Sequence, residues 1–147
     1  MKADEFINWL NEQAQAKSES AKPTKQRKPY AYTESGIQQA CVRWFRLQYP
    51  IFDKLLFHIP NERLVTAHQG KRMNDEGRVS GVADLFLLVP SNEYHALLIE
   101  VKTEKGRQNP NQKEWQKAVE RMSYKYVIIR SLSEFQTQIK EYLRPTV

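Results

Sequence analysis

Two short stretches of the sequence place charged residues inside apolar runs. Glu100 and Lys102 lie in LLIEVK (97–102), and Asp84 lies in VADLFLLV (82–89). Side chains alternate between the two faces of a strand, so Glu100 and Lys102 point the same way. If the two stretches are adjacent strands of one hairpin, Asp84 reaches the same spot. The pattern therefore predicts two carboxylates and an ammonium group gathered above a sheet.

Such a group of charges suits metal-assisted hydrolysis. Two carboxylates repel each other and are costly to desolvate, and a hard divalent cation compensates, because Mg²⁺ prefers one or two carboxylates plus waters and phosphate oxygens. Lys102 would orient the attacking water and stabilise the developing charge. Glu34, on the inner side of a helix, is a third acid that could help to hold a second metal. The reaction indicated is phosphodiester hydrolysis with Mg²⁺ or Mn²⁺.

Each of these residues also has a structural interpretation that the sequence leaves open. Glu-x-Lys on one strand is usually an exposed ion pair that contributes little. Asp84 could cap a turn, and Glu34 could favour a helix N-terminus. Gln112 could be the capping-box partner of Asn109 as readily as an active-site residue. The histidines show no ligand spacing and are interpreted as structural or surface residues, and Cys41 as core packing.

The elements that must position these residues follow from periodicity and turn signals. Apolar residues at helical spacing predict an amphipathic helix from Glu34, capped by Ser35 with Gln38 or by Thr33 and ended by Pro50. The later segments alternate strand-like and helix-like patterns with one long polar stretch, which is predicted to be a functional loop. The predicted strands span 54–60, 82–90, 94–102 and 125–130. The predicted helices span 109–122 and 131–143, and the predicted loop spans 61–81.

The chain is predicted to have two parts. The boundary is placed near residue 30, so that residues 31–147 form the main domain. The part before it contains a helix at 3–16 and most of a polar, basic linker at 17–33. The element order of the main domain predicts an α/β fold with a central mixed sheet flanked by helices. The N-terminal part is interpreted as an arm, a dimerisation element or a disordered tail.

Composition restricts the class of protein and its partners. The net charge is +6, and between Lys102 and Arg130 eight Lys/Arg face three Glu, which is compatible with a polyanionic partner. We find no apolar run long enough to span a membrane and no secretory signal, so no membrane partner is expected. The single cysteine excludes an internal disulfide and fits a reducing cytoplasm. We expect a cytoplasmic setting for a bacterial or viral/phage protein.

The combined pattern resembles the VRR-NUC family (virus-type replication-repair nuclease) of the PD-(D/E)xK nuclease superfamily. SGVADLFLLV, LLIEVK, NPNQKEW and the helix start TESGIQQA carry the resemblance over roughly residues 34–135. It implies a restriction-endonuclease-like αβββαβ core, with Asp84, Glu100 and the Val101 carbonyl as metal ligands. Lys102 would be the catalytic lysine, Glu34 the helical acid and Gln112 the active-site glutamine. Ala83 replaces the proline of the superfamily name, a position that binds nothing.

The resemblance also implies a substrate and an assembly. Stand-alone members are similar to homodimeric nucleases that cut branched DNA such as four-way junctions, in replication, repair or recombination. The alternatives are a flap or restriction-type nuclease, and a non-catalytic nucleic-acid-binding module. We expect the DNA, branched or duplex, to contact cations in the polar stretch and around the active-site helix, namely Arg63, Lys71, Arg72, Arg78, Lys105, Arg107 and Lys113.

Overall fold

The computed structural model describes Ile7, Asn8, Glu12, residues 33–60 and residues 66–144. The predicted helix at 3–16 and the basic linker therefore lie almost wholly outside the described residues, and so does Arg63. The division of the chain near residue 30 stays a prediction.

A four-stranded mixed sheet forms the centre of the domain, with spatial order β1-β2-β3-β4. The first three strands pair antiparallel, whereas β3 and β4 are parallel. A parallel pair needs a crossover, and a helix between β3 and β4 supplies it. The strands are β1 (Leu56–His58), β2 (Leu85–Leu87), β3 (Leu97–Val101) and β4 (Lys125–Ile129).

Helices cover both faces of the sheet. One face packs on the first and last helices of the domain, and the other packs on the crossover helix. This arrangement confirms the predicted mixed α/β fold with a flanked central sheet. The helices are α1 (Glu34–Gln48), a 3-10 helix (Pro50–Leu55), α2 (Ala67–Asp75), α3 (Pro110–Glu120) and α4 (Leu132–Tyr142).

β3 is the central element of the core, and all five of its residues are buried. Leu97, Ile99 and Val101 pack with α1 and α4, whereas Leu98 faces the layer under α3. Glu100 alternates with them and so shares the Leu98 face. A strand covered on both faces needs apolar residues at nearly every position, which makes the buried Glu100 exceptional.

The structure corrects the predicted loop and decides between the two candidate caps of α1. The stretch 61–81 contains α2, whose N-terminus is fixed by a capping box between Thr66 and Gln69 rather than by burial, since no residue of α2 is buried. Thr33, and not Ser35, caps α1 by accepting from the Gly36 N–H. Ser131 caps α4. None of the described helices is long and apolar enough to cross a membrane.

Candidate active site

Asp84 is fixed at the point where the pairing of β2 and β3 stops. The last paired residues are Leu85 and Ile99, and two residues further the Val101 N–H donates to Asp84 Oδ2 over 2.8 Å. The carboxylate thus takes the place of a strand partner. Because the N–H and C=O of one strand residue point to the same side, the Val101 carbonyl is directed towards the edge where Asp84 lies.

Glu100 is only 1% exposed, and three side chains contact its carboxylate. Lys102 Nζ lies 3.0 Å from Oε1, and Gln112 Nε2 donates to the same oxygen over 2.5 Å. The Tyr126 hydroxyl lies 3.4 Å from Oε2. Oε1 is therefore strongly bound to protein groups, whereas Oε2 has one long contact.

Gln112 performs both of the roles that its sequence position suggested. The side-chain Oε1 of Gln112 accepts from the Asn109 backbone N–H over 2.9 Å, and the backbone N–H of Gln112 donates to Asn109 Oδ1. These two hydrogen bonds form the capping box of α3. The remaining Nε2 group donates to Glu100. One amide therefore starts the crossover helix and fixes the buried acid, because its oxygen and nitrogen serve different partners.

Lys102 forms a buried ion pair and not the exposed pair that Glu-x-Lys usually makes. The residue is 7% exposed, and its Nζ lies 3.0 Å from Glu100 Oε1 and 3.8 Å from Glu34 Oε1. Glu34 is the first residue of α1, so the start of that helix delivers a third acid to the same end of the sheet. With every group ionised, three acids stand against one lysine here.

The pKa values reflect this imbalance. Burial, followed by the negative charge of Asp84, raises the pKa of Glu100 to about 7, although Lys102 and Tyr126 act in the opposite direction. Burial opposes the charge on Lys102, but contacts with Glu100 and the charges of Glu34 and Asp84 outweigh it and raise the pKa of Lys102. Lys102 is therefore charged at neutral pH, and Glu100 changes its protonation state near neutral pH.

Two segments beside the site are held by tight contacts. Gly81 has φ +83°, and a Cβ there would lie 2.4 Å from the Asn111 carbonyl carbon, so the segment leading to Asp84 lies directly against the start of α3. After β3, the Arg130 guanidinium donates through Nη1 to the carbonyls of Thr103, Glu104 and Gly106. This second contact fixes the loop that follows Lys102.

The loop after β3 brings cations close to the acids. A Cβ built on Gly106 would lie 3.3 Å from Glu34 Oε1, so Lys105 and Arg107, on either side of Gly106, flank the site and are exposed. The other expected DNA contacts are more dispersed. Lys113 is exposed on α3, Arg78 follows α2, and Lys71 and Arg72 form i,i+4 ion pairs with Asp75 and Glu76.

The donor set suits a divalent cation that shares its coordination with substrate. In the residues that the structure describes, no three His, Cys, Asp or Glu side chains are grouped so that they could hold a metal ion alone. Asp84, Glu100 and the Val101 carbonyl offer hard oxygen ligands, and Mg²⁺ usually takes one or two carboxylates and completes its shell with waters and phosphate oxygens. The net negative charge around Lys102 favours such a cation.

The fold and the site together define a class. A mixed sheet covered by helices on both faces, with an Asp and a Glu-x-Lys at one end, is the arrangement expected of a nuclease-type α/β domain. The VRR-NUC domain model matches residues 29–132. The chain belongs to the VRR-NUC domain family, whose domains are of the nuclease type.

Comparison of structures agrees with the family assignment. A solved chain described as "VRR_NUC domain protein" has a TM-score of 0.66 to this chain at 20% sequence identity, and the match covers 80% of this chain and 90% of the other. At this identity the likeness demonstrates the shared fold. No curated protein sequence matches the chain significantly.

Three residues around the site carried no obvious sequence signal. Tyr126 contacts Glu100, Gln108 contacts Tyr126, and Arg130 contacts the loop after β3. Alternation along β4 is the sequence signal that could have identified Tyr126. The parallel register pairs Leu98 with Tyr126 and Glu100 with Ile128, which places Tyr126 on the face of Glu100.

Proposed function

We propose that this chain is a metal-dependent DNA endonuclease that hydrolyses phosphodiester bonds. Asp84, Glu100 and the Val101 carbonyl would hold Mg²⁺ or Mn²⁺, and Glu34 would help to hold a second ion. Lys102 is the catalytic lysine, and Gln112 orients Glu100. A bound cation would polarise the scissile phosphate and lower the pKa of a bound water.

One observation carries this proposal, namely that two further acids, Asp84 and Glu34, lie beside the buried ion pair of Glu100 and Lys102. Glu100 is 1% exposed and has a pKa of about 7, because burial and Asp84 outweigh Lys102. A purely structural ion pair would gain nothing from a second carboxylate beside it, since like charges at a buried site destabilise each other. A site that binds a divalent cation needs this excess of negative charge.

In this proposal, Lys102 acts on the attacking water and on the phosphate. Its ammonium is fixed by Glu100 and Glu34, so it reaches the substrate without losing further side-chain entropy. A cation held there stabilises charge that develops on the phosphate oxygens and can donate a hydrogen bond to the attacking water. Electrostatic stabilisation of this kind is usually the largest single contribution to catalysis.

Exposed cations near the site support contact with a phosphate backbone. Lys105 and Arg107 flank Gly106 beside Glu34, and Lys113 follows Gln112 on α3. We propose that these cations, with Arg63, Lys71, Arg72 and Arg78 elsewhere in the chain, contact phosphates, which position DNA without reading its sequence. We therefore propose a structure-selective enzyme.

We further propose that the enzyme is a homodimer that cuts branched DNA such as four-way junctions. A two-fold dimer would present two active sites to two symmetric strands. We place the activity in DNA replication, repair or recombination in the cytoplasm. We also propose that residues 1–30 lie outside a nuclease domain at 31–147.

Cleavage of plasmid DNA by purified protein tests the proposal. Wild type should nick or cut with Mg²⁺ or Mn²⁺ and stop when EDTA is added. Asp84→Asn, Glu100→Gln and Lys102→Met should each lower the rate by at least about a hundredfold, since each removes a charge at the reacting phosphate and keeps the side-chain volume. DNA binding, measured by gel shift in Ca²⁺, should persist in all three variants.

Glu104→Gln is the matched control, because Glu104 is an exposed acid two residues beyond Lys102. It should cut like wild type. Undiminished cleavage by Glu100→Gln and Lys102→Met would refute the mechanism, and DNA binding without cleavage by wild type would favour the non-catalytic module. A panel of linear duplex, single strand, flap and four-way junction separates the junction proposal from a flap or restriction-type activity, and light scattering measures the oligomer.

A further inference from the structure

We propose that Tyr126 is a positioning residue for the Glu100 carboxylate and that Gln108 sets the direction in which the Tyr126 hydroxyl donates. This inference rests on the proposed function, in which Glu100 is one of the acids that hold the metal. It assigns a role to two residues that lie outside the Asp, Glu-x-Lys and Gln motif. Both are reached only through the tertiary structure.

The argument begins with the unequal treatment of the two Glu100 oxygens. Oε1 receives both Lys102 Nζ, at 3.0 Å, and Gln112 Nε2, at 2.5 Å. Oε2 has the Tyr126 hydroxyl at 3.4 Å, which is longer than an ordinary O–H···O bond. Oε2 is therefore the oxygen with lone pairs to spare for a cation, and Tyr126 is the group that touches it.

A chain of polar side chains determines which way the Tyr126 hydroxyl points. Gln108 Nε2 donates to the Tyr126 oxygen over 3.2 Å and to Gln116 Oε1 over 2.9 Å. Gln116 Nε2 in turn donates to Glu120 Oε1 over 3.0 Å. Because an amide nitrogen only donates, the Tyr126 oxygen must accept from Gln108, and its own proton is left to point at Glu100.

The hydroxyl is not explained by packing alone. The Tyr126 ring lies in the layer under α3, with its centroid 6.1 Å from that of Trp115 and with Leu98 and Ala83 in the same cluster. A phenylalanine would fill that space equally well, and burying a hydroxyl costs free energy unless it is hydrogen bonded. Its two polar contacts lead to Glu100 on one side and to the loop before α3 on the other.

The expected consequence is an effect on metal affinity. Partners that orient a metal-binding group typically change affinity or activity by 10–100-fold when they are removed. Tyr126→Phe removes only the hydroxyl, so Oε2 of Glu100 loses the one side chain that orients it while Lys102 and Gln112 still hold Oε1. We therefore expect Mn²⁺ to bind about tenfold more weakly, and cleavage to recover when Mn²⁺ is raised to saturation.

The experiment is calorimetric titration of Mn²⁺ into full-length wild type, Tyr126→Phe, Gln108→Leu and Tyr124→Phe. Tyr124 lies just before β4 and contacts His95, so it is a matched loss of one hydroxyl away from Glu100. Tyr124→Phe should bind like wild type, and Gln108→Leu should fall between wild type and Tyr126→Phe. Urea denaturation reports the stability of each variant.

The outcomes separate the two proposals. Wild-type binding with an equally tight Tyr126→Phe would overturn the positioning role and leave the proposed function standing. No Mn²⁺ binding by folded wild type would overturn both. If Tyr126→Phe does not fold, Gln108→Leu alone decides, since Gln108 is a loop residue outside the apolar cluster, and unchanged affinity in that variant would overturn the inference.

Discussion

Replacing Glu100 by glutamine is expected to stabilise the metal-free protein while abolishing cleavage. Glutamine keeps the shape of the side chain and can still accept from Gln112 and Lys102 through its oxygen. What it loses is a charge that the folded protein holds at a cost. The gain in stability should therefore increase with pH as Glu100 of the wild type ionises.

The magnitude follows from the pKa of Glu100. Burial and Asp84 raise it from 4.5 to about 7, and this value already includes the opposing contact with Lys102. At about 1.4 kcal/mol per pKa unit, ionised Glu100 costs the folded state about 3 kcal/mol. For a chain of this length that corresponds to roughly 6–12 °C in Tm.

The sign is fixed by which state binds the proton more tightly. Because the pKa of Glu100 is higher in the folded than in the unfolded chain, wild-type stability should fall as pH rises from 4.5 to about 7 and then level off. Glu100→Gln lacks this loss. The variant should match wild type at about pH 4 and exceed it by about 3 kcal/mol at about pH 8.

Thermal and urea unfolding in EDTA at several pH values measure the effect, with Glu104→Gln as the exposed control. A glutamine variant that is no more stable than wild type at alkaline pH would refute the reasoning. So would a gain of the same size at acid pH, because that would trace the effect to packing and not to charge. Adding Mg²⁺ should narrow the difference, since the cation binds only the wild-type carboxylate.

Three further predictions concern the surroundings of the site. Gly81→Ala should lower the free energy of unfolding in urea by at least about 2 kcal/mol, because it adds a Cβ 2.4 Å from Asn111 at φ +83°. Gly77 has φ +99° but open space around it, so Gly77→Ala should cost about 1 kcal/mol. Equal losses in the two variants would contradict the packing argument. Arg130→Lys should destabilise by about 1–3 kcal/mol and lower the cleavage rate, because the lysine side chain is one bond shorter and holds its ammonium farther from the carbonyls of the loop after β3. Wild-type cleavage by this variant would exclude the role. Burial raises the pKa of the Cys41 thiol to about 12, so a thiol reagent should label native protein only as fast as it unfolds; rapid labelling would disprove the burial.

Local sequence rules were sufficient for most elements of the domain and for the grouping of Glu100 with Lys102. Alternation along 97–102 correctly set Glu100 and Lys102 on one side of a buried strand, and Asn109 with Pro110 correctly marked the start of α3. These features depend on neighbours within a few residues, which is why they can be recognised in a single sequence.

Boundaries and caps were predicted less well where local signals compete. The polar stretch 61–81 has glycines and no apolar periodicity, yet α2 forms there with a capping box and i,i+4 ion pairs in place of a buried face. Hydrophobic periodicity detects helices that pack on a core, and α2 buries nothing. Thr33 and Ser35 were both competent caps for α1, and in the structure Thr33 takes the role by accepting from the Gly36 N–H.

Only the tertiary structure decided how the acid is held and how much its charge costs. Gln112 could have served the helix cap or the site, and the distance between α3 and β3 lets it serve both. Tyr126 lies 26 residues beyond Glu100 and meets it because β3 and β4 run parallel in this register. The residue types at the site are a property of the sequence, whereas burial, and with it the raised pKa of Glu100, arises from chain segments that only the fold brings together.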